Sequence, residues 1–292
     1  MSAPSAAESP EPALWSPRGP DLLIHGDNLD VMAQLPDESM QLVYLDPPFN
    51  TGRAQRRATT RSTRDPEGTH LGFSGTNYTR TIEALTSYDD AFTDYWAFLA
   101  PRLIEAHRVL RDDGTLYLHL DWREAHYAKV ALDALFGREC FLNELIWAYD
   151  YGAKSRRRWP TKHDTILVYV KNPATYYFDS EAVDREPYMA PGLVTPEKAA
   201  RGKLPTDVWW HTIVPTSGTE KTGYPTQKPL GILRRIVQAS TREGDWVLDP
   251  FAGSGTTAAA ARALGRRSIS IDASADAVAV AARRLDLDPL GA

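Results

Sequence analysis

The segment Val247-Leu248-Asp249-Pro250-Phe251-Ala252-Gly253-Ser254-Gly255-Thr256-Thr257 joins an apolar run to two closely spaced glycines. The apolar run is typical of a buried strand, and a helix is predicted to begin after the glycines. Glycines in such a turn let the backbone approach a ligand, and a helix N-terminus favours polar or anionic groups. A plain tight turn between strand and helix would use the same residues.

The next predicted strand, 268–271, ends at Asp272, whose carboxylate can accept hydrogen bonds from both hydroxyls of a ribose. The alternative role for Asp272 is a helix N-cap before Ala273. The dinucleotide fingerprint Gly-x-Gly-x-x-Gly is missing, because Thr257 and Ala258 occupy the later positions. Together these residues predict a site for a nucleoside without a diphosphate.

Strand and helix patterns alternate on both sides of this segment. Strands are predicted at 21–25, 41–45, 115–120, 141–147, 165–170, 246–248 and 268–271, and helices at 29–35, 93–110, 123–135, 229–240, 256–264 and 273–285. Such alternation predicts an α/β protein with an open, doubly wound, mostly parallel sheet covered on both faces.

Three segments lack this periodicity. Residues 1–20 are rich in Ala, Pro, Ser and Glu, do not resemble a signal peptide, and are expected to form a disordered tail. Residues 50–91 are expected to form a long mobile loop. Residues 172–223, rich in Pro, Gly, Tyr, Trp and Lys, are expected to form an inserted recognition region.

Composition limits the class of protein. No apolar run approaches the length of a membrane span, and Cys140 is the single cysteine, which fits a reducing compartment such as the cytoplasm. The net charge of −5 is unusual for a protein that coats nucleic acid. The positive charges are clustered, however, and form two groups: Arg53, Arg56, Arg57, Arg61 and Arg64, and Lys154, Arg156, Arg157, Arg158 and Lys162.

The run Asp46-Pro47-Pro48-Phe49 follows the second predicted strand. An exocyclic amine of adenine or cytosine is a poor nucleophile, because its lone pair is conjugated into the ring. Two hydrogen-bond acceptors held side by side improve it by fixing both amine hydrogens. Asp46 supplies a carboxylate, the proline pair supplies a rigid carbonyl, and Phe49 can stack on a base rotated out of a duplex. A simple strand terminator is the alternative.

Several runs in a fixed order resemble the β class of DNA amino-methyltransferases. They are Ile24-His25-Gly26-Asp27, Asp46-Pro47-Pro48-Phe49-Asn50-Thr51-Gly52, Phe136-Gly137, Asn143-Glu144-Leu145-Ile146-Trp147, Lys162-His163-Asp164-Thr165-Ile166-Leu167, Tyr224-Pro225-Thr226-Gln227-Lys228-Pro229 and Asp249–Thr257. The similarity covers most of residues 21–285. In this class the catalytic motif precedes the recognition region, and the cofactor motif comes last.

The resemblance implies a seven-stranded class I methyltransferase fold of Rossmann type, with a reversed hairpin at one edge. Its catalytic domain would comprise 21–171 and 224–288, with 172–223 recognising the target and 50–91 facing DNA. The cofactor would be S-adenosylmethionine, and no metal is implied. The residues implied to bind the cofactor are Asp27, Asp46, Thr226, Lys228, Asp249, Phe251, Gly253, Ser254, Gly255, Thr256, Thr257 and Asp272.

Within that set the resemblance implies individual roles. Phe251, Gly253, Gly255 and Thr256 would line the methionine part, Asp272 would bind the ribose, and Asp27 would lie near the adenine. Thr226 and Lys228 would close the methionine end, with the Lys228 ammonium facing the cofactor carboxylate. Asp46, Pro47, Pro48 and Phe49 would form the catalytic group that holds the flipped base.

The implied activity is methylation of adenine N6 in duplex DNA, because family members acting on cytosine N4 more often begin the catalytic motif with Ser. An N4-cytosine enzyme with the same machinery is the alternative. An RNA or protein-amide methyltransferase is disfavoured by the motif order, and an inactive DNA-binding module by the intact motifs. A nicotinamide dehydrogenase is disfavoured by the missing third glycine.

The expected partner is double-stranded DNA, contacted through Arg53, Arg56 and Arg57 in one cluster and Arg156, Arg157, Arg158 and Lys162 in the other. Solvated charged loops are the alternative. A cognate restriction endonuclease and a homodimer are further expectations from the resemblance, as is a prokaryotic cytoplasmic location. His119 and Asp121 end a strand at the ligand-bearing edge and receive no chemical role.

Overall fold

The computed structural model describes residues 14–51, 55–64, 70–71, 77–88, 94–152, 154–215 and 218–291, with the backbone alone at 55–64, 70–71 and 77–88. The strands are β1 (Leu22–His25), β2 (Met40–Leu45), β3 (Gln55–Arg64), β4 (His70–Leu71), β5 (Asn77–Tyr88), β6 (Leu110–Leu120), β7 (Phe141–Ala148), β8 (His163–Val170), β9 (Val208–Trp210), β10 (Trp246–Asp249), β11 (Arg267–Asp272) and β12 (Leu290–Gly291). The helices are α1 (Asn28–Met32), α2 (Tyr95–Val109), α3 (Ala125–Phe136), α4 (Pro196–Arg201), α5 (Leu230–Ser240), α6 (Thr256–Ala263) and α7 (Ala275–Leu285).

The described chain forms one nine-stranded sheet in the order β12-β1-β11-β10-β2-β6-β8-β7-β9. Within it β8 runs antiparallel to both of its neighbours, and the other pairs are parallel. The α/β class, the mostly parallel sheet and the reversed β7–β8 hairpin are thus confirmed. The expected seven strands form the middle of the sheet, and β12 and β9 extend its two edges. These edge strands are too short to give a pattern that sequence can reveal.

The side chains of β2 point alternately into two apolar layers. Val43 and Leu45 join the core beneath α1, α2 and α3, whereas Leu42 and Tyr44 join the core beneath α5 and α6. Helix α7 packs on the same side as α6. The central strands are buried on both faces, which explains why they appear in the sequence as continuous apolar runs.

The connections of the sheet diverge between β10 and β2. From β10 the chain passes through α6 to β11 on one side, and from β2 it passes through α2 to β6 on the other. Helices α6 and α2 cover opposite faces of the sheet. The chain therefore turns in opposite directions after β10 and after β2, which leaves a crevice at the carboxyl ends of these two strands. In open α/β sheets this is where ligands bind. Asp249 ends β10 and Asp46 follows β2 directly, so the two predicted motifs meet there.

The expectation of an irregular loop at 50–91 is wrong for the described part of that segment. Strands β3 and β5 pair antiparallel over ten positions, from Gln55↔Tyr88 to Arg64↔Tyr78, and β4 adds to β5. The segment contains many β-branched residues, such as Thr59, Thr60 and Thr81, and these favour extended backbone despite the weak apolar alternation.

The expectation of a disordered tail over 1–20 is wrong for residues 14–20. Trp15 packs edge-on against Trp246, with ring centroids 5.7 Å apart. The Pro17 carbonyl accepts hydrogen bonds from Trp246 Nε1 at 3.2 Å and from Arg267 Nη1 at 2.7 Å. These residues close the amino-terminal end of the sheet, where a single tryptophan in a Pro-rich stretch gives little sequence signal.

The 172–223 segment contains α4 and β9 and is otherwise irregular. Strand β9 extends the main sheet beside β7, and Trp209 is buried in the core while Trp210 is exposed. Trp209 Nε1 donates to the Thr206 carbonyl at 2.7 Å. In the described part of the chain, no helix is both long and apolar enough to cross a membrane.

Candidate active site

A cavity of about 420 Å³ lies at the crevice between β10 and β2. This volume is within the range of about 300–1,000 Å³ typical of small-molecule sites. Most of the predicted site residues line the cavity, namely Asp27, Asp46, Pro47, Pro48, Phe49, Thr226, Lys228, Asp249, Phe251, Gly253, Ser254, Thr256, Thr257 and Asp272. Segments far apart in the sequence therefore form a single pocket.

Asp46 is held at the pocket wall by Lys228. The Lys228 Nζ lies 2.5 Å from Asp46 Oδ2, and both side chains are largely buried. Asp46 Oδ1 is also buried and has no hydrogen-bond partner among the described residues. An orphaned buried acceptor is costly to a fold, and its cost is relieved when a ligand donates to it. Lys228, expected to face a cofactor carboxylate, instead orients Asp46 so that one oxygen remains available.

Phe49 is packed against a buried polar network. Its ring centroid lies 5.8 Å from that of His119, and Lys228 Nζ lies 5.0 Å from the Phe49 centroid. His119 Nδ1 bonds to the Tyr44 hydroxyl at 2.7 Å, and His119 Nε2 bonds to Asp164 Oδ2 at 3.2 Å. Sequence analysis assigned no chemical role to His119, and the structure places its ring in contact with that of Phe49.

Asp249 is fully enclosed at the end of β10. Its carboxylate accepts a hydrogen bond from the Phe251 amide at 3.0 Å. Burial raises the pKa of Asp249 to about 7, opposed by the hydrogen bonds from Thr257 and Phe251 and supported by the negative charges of Asp46 and Asp272. Four aspartates line the site, Asp27, Asp46, Asp249 and Asp272, and this cluster favours a cationic ligand.

Asp272 is tied to the glycine turn. The Gly253 amide donates to Asp272 Oδ2 and the Ser274 amide donates to Oδ1, each at 2.8 Å. Burial raises the pKa of Asp272 despite these bonds. Helix α7 begins at Ala275 with Ser274 as its N-cap, so the N-cap alternative for Asp272 is wrong. A carboxylate oxygen can accept more than one hydrogen bond, so the Asp272 carboxylate can also accept hydrogen bonds from ribose hydroxyls.

The two glycines of the turn have different surroundings. Both adopt positive φ, 51° at Gly253 and 72° at Gly255. A Cβ on Gly253 would lie 3.1 Å from the Tyr224 ring, which lines the cavity. A Cβ on Gly255 would lie 3.2 Å from side-chain atoms of Ala281 and Leu285 in α7. Gly255 is outside the cavity lining, and it allows α6 and α7 to pack closely.

Asp27 is held by Arg102, and Arg102 is held by Asn28; sequence reasoning missed both residues. Arg102 Nη2 lies 3.0 Å from both carboxylate oxygens of Asp27, and Arg102 Nε donates to Asn28 Oδ1 at 2.5 Å. Asn28 in turn donates to the Pro250 carbonyl at 2.6 Å, which joins this corner to the glycine motif. The sequence signal for Arg102 was that this charged residue lies next to Leu103 on the buried side of α2, where a charge needs a partner.

Arg284 is a further residue that sequence reasoning missed. From α7 its Nη1 donates to Thr256 Oγ1 at 2.7 Å and approaches the Ser254 carbonyl at 3.3 Å. The Thr256 hydroxyl donates to the Lys228 carbonyl at 3.2 Å. Burial lowers the pKa of Arg284. Arg284 therefore braces the start of α6 against the segment that carries Lys228.

The predicted DNA-binding residues fall into two groups. Arg53 lies outside the described residues, and Arg56 and Arg57 lie on β3, where the backbone alone is described. Arg156, Arg157 and Arg158 are exposed in the loop between β7 and β8. Lys162 Nζ is paired with Asp150 at 3.0 Å. The second cluster lies at the carboxyl end of β7, which is the edge that bears the cavity.

Comparison with known proteins gives relatives over most of the chain. DNA adenine methyltransferase YhdJ of Escherichia coli (strain K12) is 31% identical, and the match covers 91% of this chain and 82% of the relative. Type II methyltransferase M.HpaI of Haemophilus parainfluenzae is 29% identical, covering 90% of this chain and 74% of the relative.

Two solved structures have the same fold. The PvuII DNA methyltransferase (cytosine-N4-specific) superposes with a TM-score of 0.60 at 17% identity, covering 90% of this chain and 85% of that one. The M1.HpyAVI–SAM complex gives 0.58 at 20% identity, covering 91% and 99%. Residues 40–283 match the model of the N6_N4_Mtase family, described as DNA methylase, and the chain belongs to this DNA methylase family.

Proposed function

We propose that this protein transfers a methyl group from S-adenosylmethionine to the exocyclic N6 of adenine in duplex DNA. The observation that carries the proposal is Asp46 Oδ1, a buried acceptor that lacks a partner among the described residues and belongs to a cavity-lining carboxylate. A base amine that donates one hydrogen there would relieve this cost. Family membership supports DNA as the substrate.

Adenine is favoured over cytosine by two observations. The relative YhdJ, whose name specifies adenine, is 31% identical over nearly the whole chain. The catalytic motif also begins with Asp46, the residue that the resemblance associates with adenine enzymes. Both bases present the same kind of amine, so the cytosine alternative predicts the same site and differs in the product alone.

The cavity fits S-adenosylmethionine by its donor set. Asp272 has acceptor capacity for ribose hydroxyls, and the cluster of Asp46, Asp249 and Asp272 suits a sulfonium cation. Phe251 and Thr226 line the same space, and Asp27 is fixed by Arg102 at its far wall. When bound there, the cofactor supplies an activated methyl group.

The protein's own residues act mainly by positioning. Asp46 Oδ1 accepts one amine hydrogen, and a carbonyl of the Pro47-Pro48 pair accepts the other, which frees the nitrogen lone pair. Lys228 keeps Asp46 oriented through its 2.5 Å contact. Phe49 supplies an apolar face for the base, and the extra amine proton leaves after transfer.

Further partners and the cellular location are part of the proposal. We propose contacts to DNA phosphates from Arg53, Arg56, Arg57, Arg156, Arg157, Arg158 and Lys162. The names of type II relatives such as M.HpaI support a role beside a restriction endonuclease. A homodimer and a cytoplasmic location complete the proposal, and light scattering of the purified protein tests the dimer.

The test uses purified protein, tritiated S-adenosylmethionine and enzymatically amplified duplex DNA, which carries no modified bases. After digestion, we expect the label in N6-methyl-deoxyadenosine. Label in N4-methyl-deoxycytidine would overturn the adenine assignment and leave the mechanism standing. If the enzyme binds the cofactor but transfers the label to RNA or to another protein and not to DNA, the assignment of DNA as the substrate is overturned.

A substitution ties the activity to Asp46. Asp46→Asn replaces one carboxylate oxygen, either the unpartnered Oδ1 or the Oδ2 that contacts Lys228, with an amide nitrogen. We expect kcat to fall by about 100-fold or more. Calorimetry should find that S-adenosylmethionine affinity falls much less than kcat, because Asp249 and Asp272 remain in the carboxylate cluster. The matched control is Asp30→Asn, which changes an exposed acid outside the cavity lining. Equal activity of the two variants would contradict the role of Asp46.

A further inference from the structure

A partly exposed tryptophan contacts two arginines at the edge of the sheet that bears the cavity. Trp122 follows β6 and is 40% exposed. The guanidinium carbon of Arg123 lies 5.1 Å from the Trp122 ring centroid, and that of Arg158 lies 5.3 Å from it. Arg158 comes from the loop between β7 and β8. Two separate loops thus meet at one indole, and we call residues 121–124 the indole turn.

The indole turn is joined to residues 46–49, which we call the catalytic turn. Asn50, which follows Phe49 directly, donates through Nδ2 to Glu124 Oε1 at 2.9 Å. At the other end of the turn, the Arg123 amide donates to Asp121 Oδ1 at 2.9 Å. Strands β2 and β6 are neighbours in the sheet, so their carboxyl ends carry the catalytic turn and the indole turn side by side. Trp122 is therefore placed next to the position of the reacting base.

The surroundings of Trp122 are basic and aromatic. Arg156 and Arg157 are exposed, and within the described residues neither forms an ion pair with a carboxylate. Trp159 is 93% exposed and Tyr151 is also exposed. Exposed aromatic rings interleaved with unpaired cations suit a polyanion that also offers flat apolar faces, which describes nucleic acid. Such a density of positive charge is more typical of a nucleic-acid interface than of a protein–protein interface.

We propose that Trp122 stacks on a DNA base next to the position that the target base leaves, with Arg158 neutralising a flanking phosphate, whereas Arg123 is paired with Asp121 and supports the ring. The inference rests on the proposed function, because it takes duplex DNA as the occupant. Flipping a base breaks its stacking with both neighbours, and an indole at that place restores part of the lost contact. The two arginines also hold the ring in place before DNA arrives.

Two matched pairs of variants test the proposal. Trp122→Ala removes the ring, and its control is Phe178→Ala, an exposed ring at the opposite edge of the sheet, where Tyr177 and Asp179 bond to Asp113 and Ala239. Arg158→Ala removes a charge, and its control is Arg138→Ala, an exposed arginine just before the amino end of β7.

The readout is the dissociation constant of a fluorescent duplex, measured by anisotropy over a range of salt concentrations. We expect Trp122→Ala to weaken binding by about tenfold with an unchanged salt slope, since stacking releases no counterions. Trp122→Phe should recover most of the affinity. Arg158→Ala should lower the salt slope by about one. Both control variants should match wild type.

Each outcome separates this inference from the proposed function. If wild-type protein binds DNA and Trp122→Ala changes the dissociation constant by less than twofold, the stacking role is overturned and the proposed function is not. A Trp122→Ala variant that changes the salt slope but not the affinity does the same. A wild-type protein that binds no DNA overturns both. The thermal shift with S-adenosylmethionine checks that each variant is folded, so loss of binding is not confused with loss of structure.

Discussion

Asp249 shows how burial at the end of a strand alters the titration of a carboxyl group. The carboxyl is fully buried, and its pKa is raised to about 7 by burial first, with Asp46 and Asp272 adding to the shift. In the unfolded chain the same group titrates at its ordinary value near 3.8. Between these two values the folded state holds a proton that the unfolded state has released. Stability conferred by this group is therefore lost as the pH rises from about 4 to about 7.

Asp249→Asn removes this dependence, because the amide is neutral at every pH and its oxygen still accepts from the Phe251 amide. We expect the melting temperature of the variant to exceed that of wild type by a few degrees at pH 8, with the difference shrinking toward pH 4. Scanning calorimetry of the ligand-free protein at several pH values measures it. A difference that stays constant over the whole range would show that Asp249 does not titrate in this window.

At the same scale, sequence reasoning found the residues that belong to contiguous motifs. Asp46, Phe251 and Asp272 line the cavity as expected. Arg102 and Arg284 were missed, because their partners lie 75 and 28 positions away and no local pattern links them. The pairing of Lys228 with Asp46 was missed for the same reason, since a sequence shows that two charges exist but not that they meet.

Among the elements, the strand-turn-helix unit of β10 and α6 depends on two glycines with separate tasks. Gly253→Ala and Gly255→Ala both place a Cβ on a residue with positive φ, so each should lower the free energy of unfolding by about 1–2 kcal/mol. The Gly253 Cβ presses on Tyr224 at the cavity, whereas the Gly255 Cβ presses on α7. We expect S-adenosylmethionine affinity to fall in Gly253→Ala and to change little in Gly255→Ala.

Denaturant unfolding and calorimetric titration of the two variants measure these effects separately. Each variant serves as the control for the other, because the backbone strain is shared and the contact differs. Equal losses of cofactor affinity would contradict the division of tasks, and would mean that strain in the turn itself sets the affinity.

Element types followed from periodicity where burial is strong. Helix α2 was expected at 93–110 and spans Tyr95–Val109, since its apolar side chains recur at helical spacing. Strands β3 and β5 were missed because they form a separate sheet whose sequence is rich in Thr and Arg and poor in apolar residues. Their pairing partner, and not an apolar core pattern, determines their structure.

For the whole molecule, the cavity joins segments from the first fifty residues and from the last seventy. A ligand bound there links both halves of the sheet and stabilises the folded state as a unit. At a concentration of about 100 times its dissociation constant, S-adenosylmethionine should stabilise the fold by about 2.7 kcal/mol. For a chain of this size we expect a rise in melting temperature of about 4–5 °C.

Differential scanning fluorimetry with and without the ligand measures this shift, and a nicotinamide dinucleotide at the same concentration is the control. The control should produce no shift, because the turn lacks the third glycine of the dinucleotide fingerprint. A shift with the dinucleotide and none with S-adenosylmethionine would contradict the assignment of the cavity.

The pairing of β1 with both β11 and β12 has a consequence for the evolution of such chains. Ile24 lies beside Ile271 on one side and beside Leu290 on the other, so the first and the last strand of the described chain are neighbours in the sheet. A crossover linker of about a dozen residues from 291 back to 22, with a new opening in the irregular 172–223 segment, would give a circular permutant with an unchanged set of strand pairs. In that permutant the glycine motif would precede Asp46 along the chain, yet the same cavity would form. The cavity therefore depends on which strands are neighbours in the sheet, and the same cavity is compatible with more than one order of the motifs along a chain.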